Sequence, residues 1–382
     1  MSKRQRLYLH IGAPKTGTTY IQDLLWINKD RLRAGGLYVP GQRQLDHFHF
    51  ERDLRDNVQP PNHPEERWEG RVGRMAAEML AEGAPTNVIS AERLCAATRP
   101  QVESALDQLA DFDVHVVYGV RDLASLLTSE WQESVKHGNR RQLHQWLDEL
   151  ESHNDHEWFW QANDYARVFG NWDLGDPSRT HVVTFPRPGS PSEEVWLRFA
   201  AAIGWSGRVE FSAGRPNESL GFLEASVVAR IQERIPPGFP LVRRVHIMRA
   251  EVAGNKLAQR EDRMPILIPE RHREWITRDT ARRLDQLEQS GYDTIGDLAD
   301  LRDLDRRFGD VSTDGHEAEM LDAAVDAAAE LVTLLARERI RNDRLRRKIR
   351  EAEDTPGRRI SEMPRNAARR LPERWRAAVR RW

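Results

Sequence analysis

Four short apolar runs, rich in β-branched residues, stand out along the chain: Leu7–Ile11, Asn87–Ser90 (NVIS), His115–Val120 (HVVYGV) and His181–Phe185 (HVVTF). They read as buried strands. The segments between them carry a helical period. Arg71–Ala81 sets Val72, Met75, Ala76, Met79 and Leu80 on one face, and Val102–Leu109 repeats apolar residues at 102, 105, 106 and 109. Strands alternating with helices predict an α/β layer fold with a central parallel sheet. Such sheets bind ligands beyond the carboxyl ends of their strands. Gly12, Glu92 and Arg121 each follow a strand end closely, so one crevice is expected to collect all three.

After Phe185 the pattern turns mostly helical, with amphipathic stretches at Glu193–Ile203 and Leu220–Ile231 and a further helix over Pro269–Leu287. Gly309 to Gly315 reads as a hinge. From Leu321, apolar residues recur at Val325, Ala328, Val332 and Leu335 in alternating steps of four and three, which is a heptad seam. The seam weakens at Arg339 and Asn342 and resumes loosely at Leu345 and Ile349. It admits two readings: a coiled-coil homodimer, or one amphipathic helix packed on its own domain. The last segment spaces Ile360, Met363, Ala367, Leu371, Trp375, Val379 and Trp382 helically among arginines, although Pro364 and Pro372 interrupt it. A basic amphipathic helix of this kind suits an anionic membrane surface; the alternative is a disordered basic tail. The expected organisation is an α/β domain over residues 1–308, a helical extension over 309–354 and a basic tail over 355–382.

Composition narrows the setting. A chain of 382 residues can bury a core that needs neither disulfides nor a structural metal. Its one cysteine, Cys95, allows no intrachain disulfide and favours a reducing compartment. No apolar leader precedes Leu7, and no apolar run approaches the length of a membrane span. A cytoplasmic protein is expected, with at most peripheral contact at the inner face of the membrane. Net charge is −2, yet residues 355–382 hold nine arginines against two glutamates, so the rest of the chain is acidic. No recognition module accompanies the basic tail, so nucleic acid is not an expected partner.

The chemistry concentrates at Leu7–Thr19, LYLHIGAPKTGTT. A strand ends at Gly12, a loop carries Pro14, Lys15, Thr16 and Gly17, and a helical pattern starts at Thr18 and Thr19. Strand, glycine-bounded loop and helix form a cradle whose amides point at an anion. The separation of Gly12 and Gly17 matches the nucleotide-triphosphatase loop, but Thr18 stands where that loop has its lysine, and Lys15 lies two residues before the second glycine. A second constellation is Val116–Ser129, where Arg121 follows a strand and Ser129 lies eight residues on, along an expected helix. Arginine suits bidentate phosphate recognition and serine adds a donor.

The displaced lysine, in Pro-Lys-Thr-Gly-Thr-Thr, resembles the 5′-phosphosulfate loop of sulfotransferases that use 3′-phosphoadenosine 5′-phosphosulfate (PAPS). Arg121 and Ser129 resemble that family's 3′-phosphate motif. Trp158–Trp172 followed by HVVTF, and the later RPNESLGFLEASVVARI and GYDTIGDLADL, resemble bacterial, chiefly actinobacterial, sulfotransferase-like proteins, and the likeness runs over roughly residues 7–304. The resemblance implies a P-loop NTPase-like three-layer fold and PAPS as co-substrate, with no metal. Pro14, Lys15, Thr16, Gly17, Thr18 and Thr19 would hold the 5′-phosphosulfate, and Arg121 and Ser129 the 3′-phosphate. The family's arginine-lysine-glycine segment is missing, and Arg215 near Asn217 is a possible substitute. Sulfuryl transfer to an acceptor hydroxyl, on a glycolipid, glycan or small metabolite, also needs a base. His47, beside Asp46, is the first candidate and Glu92 the second. Competing readings are a P-loop kinase or other nucleotide-binding protein, and a non-catalytic scaffold on the same fold.

Overall fold

The computed structural model describes residues 4–56, 68–152, 157–211, 219–236 and 238–353. The chain divides into two compact units, Met1–Ala324 and Val325–Trp382. The first is an α/β unit built on six strands: β1 (Gln5–Gly12), β2 (Leu37–Tyr38), β3 (Thr86–Ser90), β4 (Phe112–Val120), β5 (Thr180–Thr184) and β6 (Asp293–Ile295). They pair in the order β2-β3-β1-β4-β5-β6, and every pairing is parallel. The four apolar runs are therefore the four inner strands. The edge strands β2 and β6 have two and three residues, too few for a periodic signal.

Alternation along the strands builds two cores. Leu7, Leu9 and Ile11 of β1 join Val114, Val116 and Tyr118 of β4 on one face, against helices Arg71–Glu82, Arg99–Gln108 and Tyr165–Asn171. Tyr8, Val88, Val117 and Val183 point the other way, onto Ile21, Leu24 and Leu25 of helix Thr18–Ile27 and Trp196 and Phe199 of helix Glu193–Ala202. Both faces of the sheet are covered, as a parallel sheet requires. In Arg71–Glu82 the expected face is buried except for Leu80, which is exposed. The stretch Trp158–Trp172 is two short helices rather than one. Asp164 ends the first and caps the second by accepting from the Ala166 amide at 3.0 Å.

The long helix Glu317–Glu353 carries the heptad positions. Leu321, Val325, Val332 and Leu335 are exposed, whereas Met320, Ala323 and Ala327 are buried. No described helix is long and apolar enough to cross a membrane. The basic tail from Thr355 and the Arg215–Asn217 segment lie outside the described residues.

Candidate active site

The loop after β1 folds back on itself. Thr16 Oγ1 donates to the Ala13 carbonyl at 2.7 Å, and the Ala13 amide donates to the Gly119 carbonyl at 3.2 Å, tying the loop to β4. Two glycines are demanded by space as well as by conformation. A Cβ on Gly12, whose φ is 121°, would sit 2.5 Å from the Glu92 carbonyl oxygen. One on Gly17, φ 82°, would sit 2.7 Å from Val195 Cγ1. Lys15 itself is in the left-handed region at φ 64°, uncommon for a residue with a Cβ. The helix then starts at Thr18 with no side-chain cap and no acidic residue in its first turn. Its first amides and its positive dipole end face the loop, and the Glu92 carboxylate sits beside that helix start.

Arg121 leaves the end of β4 and turns back to this loop. Its Nη1 donates to the Lys15 carbonyl at 3.0 Å and lies 3.4 Å from Ser129 Oγ. Its guanidinium stacks 4.7 Å from the centre of the Phe185 ring, and its Nε has no partner among the described residues. Ser129 is carried by helix Leu123–Lys136, which Asp122 caps by accepting from the Ser125 amide at 2.7 Å. Arg307 enters the same cleft, its Nε donating to Ser125 Oγ at 2.9 Å. Burial, resisted by Asp122 and reinforced by Arg307 and Arg306, lowers the Arg121 pKa to about 10. Two arginines, Arg121 and Arg307, in one cleft are suited to an anionic group.

Three carboxylates, Glu92, Glu130 and Glu133, line the same cleft as Lys15. Its Nζ lies 3.4 Å from Glu133 Oε2. Burial alone would raise the Glu133 carboxyl, but Lys15, Lys136, His137 and Arg249 outweigh it and hold the pKa at about 2. Glu92, in the turn after β3, accepts a hydrogen bond from Thr18 Oγ1. Glu130 is 5% exposed, lines the cleft, and its Oε1 has no partner among the described residues. Burial, opposed by Lys15 and reinforced by Glu133 and Glu92, raises its pKa to about 7. A buried carboxyl poised near neutrality in a cleft is suited to proton transfer.

Pro14, Lys15, Gly17, Thr18, Thr19, Glu92, Arg121 and Ser129 all line this one cleft. Thr16 sits behind it, closing the loop through its bond to Ala13. His47 does not reach it. The ring is buried between helix Leu45–Leu54 and β3, with Nε2 3.0 Å from the Pro40 carbonyl and Nδ1 accepting from the Ser90 amide at 3.2 Å. Burial lowers its pKa to about 4, so it stays neutral and serves as a structural bridge. Asp46 does not orient that ring by a hydrogen bond; its Oδ2 accepts from the amides of Gln42 and Arg43.

The sequence reading missed Glu130, Glu133 and Arg307. Once Ser129 is placed in a site, the four-residue step to Glu133 puts that glutamate on the same helix face. Arg307 has no such signal, because it arrives from far along the chain. The cleft measures about 2110 Å³, beyond the range of a single small-molecule pocket, so it has room for a nucleotide and a second substrate. Comparisons with protein-family models, with curated proteins and with solved structures find no match to this chain.

Proposed function

We propose that the chain is a sulfotransferase that moves a sulfuryl group from PAPS to an acceptor hydroxyl, on a P-loop NTPase-like variant of the three-layer α/β fold. The observation that carries the reading is the meeting of Lys15, Arg121 and Ser129 in one cleft, from the loop after β1, the end of β4 and the helix that follows β4 respectively. The residues fit the donor on three counts. Gly17, Thr18 and Thr19 line the cleft at the start of a helix without a side-chain cap, where backbone amides suit a phosphate. Arg121 has an unused buried donor. Arg307 supplies the further cation that the missing arginine-lysine-glycine segment would have brought.

PAPS, when bound, supplies an activated sulfuryl group. The acceptor oxygen forms the new bond to sulfur, the sulfur–oxygen bond to the 5′-phosphate breaks, and 3′,5′-ADP leaves. Lys15 and the Thr18 amide end of the helix stabilise the charge that develops on the departing phosphate. Glu130 takes the acceptor proton, in place of His47, because it is in the cleft, unpartnered and poised near pH 7. Glu92, engaged by Thr18, positions the loop.

Calorimetric titration with 3′,5′-ADP and with 5′-ADP tests the assignment. Preference for 3′,5′-ADP by about tenfold or more is the expected result, since an extra phosphate gains at least one charge-assisted contact. Equal affinity for the two nucleotides overturns it.

A further inference from the structure

The helix Glu317–Glu353 presents an apolar seam to solvent: Val332 is 67% and Leu335 53% exposed, and Leu321, Val325, Leu345 and Ile349 are exposed with them. Single exposed apolar residues need no explanation, but a run at alternating steps of four and three defines a stripe that packs against another helix. The stripe does not say which helix. The charges do. Between Glu317 and Glu330 there are five acidic residues and no Lys or Arg; between Arg337 and Arg350 there are eight Lys/Arg and two acids. The helix is thus an elongated dipole of side-chain charge, acidic first and basic second.

We infer that this helix pairs antiparallel with the same helix of a second copy, about a two-fold axis near Val332 and Leu335, so that each acidic half lies along the partner's basic half. A parallel pair would align eight cationic side chains with eight others over the same turns, at separations well inside the screening length of physiological salt. The antiparallel pair converts that repulsion into attraction. It also sets the polar interruption at Arg339 and Asn342 against the partner's small Ala328 and its neighbours, rather than stacking the interruption on itself. The pairing is isologous and closes as a dimer. It is independent of the chemistry assigned to the cleft.

Sedimentation equilibrium of the full chain is the direct test. A dimer is expected, with a dissociation constant that rises about tenfold between about 50 and about 500 mM salt. Val332→Asp with Leu335→Asp should give a monomer with unchanged helical circular dichroism and thermal midpoint. Orientation is read by bismaleimide cross-linking; the native Cys95 is buried and stays out of reach. Leu321→Cys and Ile349→Cys should cross-link when the two variants are mixed and not separately, because the antiparallel axis separates like positions by about 40 Å. A monomer at all concentrations overturns the proposal, whether residues 354–382 or water then cover the seam. So does cross-linking within Leu321→Cys alone, or a dimer that tightens with salt.

Discussion

The guanidinium of Arg121 donates to the backbone carbonyl of Lys15 at 3.0 Å, so the residue proposed to bind the far phosphate also holds the near loop in shape. Position and charge are coupled in one side chain, and the first prediction follows from that coupling. Arg121→Lys keeps the charge but loses the planar guanidinium, whose Nη1 meets Lys15 and Ser129 while Nε stays unused among the described residues. Affinity for 3′,5′-ADP is expected to fall about 10- to 100-fold by calorimetry, matching the loss of one charge-assisted bond. An unchanged affinity removes Arg121 from the site.

Glu130→Gln should abolish turnover while leaving 3′,5′-ADP affinity within about twofold, because the side chain keeps its shape and loses only its proton-accepting oxygen. In the wild type, kcat should rise with pH through about 7, where the carboxyl ionises. A flat pH–rate profile from pH 5 to about 9 excludes Glu130 as base.

The same residue makes a stability prediction of opposite sign. The folded pKa of Glu130 is raised, so its favourable contribution is fully present below the unfolded pKa near 4.5 and is lost as pH rises through about 7. The loss amounts to about 3 kcal/mol. Glu130→Gln is therefore expected to melt higher than wild type at pH 8, and the difference should vanish near pH 4. Thermal melts at the two pH values measure it.

Glu133 holds Lys15 in the absence of an anion, and it competes with any anion for that ammonium. Glu133→Gln should tighten 3′,5′-ADP binding. It should also destabilise the fold at neutral pH, by about 1 to 3 kcal/mol, because Lys15, Lys136 and Arg249 lose their shared counter-charge. In the wild type this contribution is present above pH about 4.5 and is lost as pH falls through about 2. Weaker nucleotide binding in the variant contradicts the competition.

His47→Ala separates scaffold from chemistry. The ring joins Pro40 to the Ser90 amide, so its loss should lower stability by about 2 kcal/mol in chemical denaturation. Turnover per folded molecule should stay near the wild-type value. A variant that folds normally but does not turn over restores His47 as the base.

Much of this protein is written locally. The four inner strands are legible because each is a short apolar run buried on both faces, and the loop after β1 is legible because glycine spacing and a following helix are sequence-local properties. Lys15, Arg121 and Ser129 could be named for that reason. The edge strands could not, since Leu37–Tyr38 and Asp293–Ile295 exist only as partners of strands already in place.

The environments of the candidate proton acceptors were not legible locally. His47 and Glu130 differ in what surrounds them: two backbone groups saturate the imidazole, while burial near Glu133 and Glu92 raises the carboxyl pKa to about 7. Desolvation and through-space charge depend on which distant segments fold together, as the arrival of Arg307 beside Arg121 does. Sequence alone therefore determined the strands, the loop and the heptad period. Tertiary structure decided which titratable groups share the cleft, because burial is a property of the assembled fold and not of residue order.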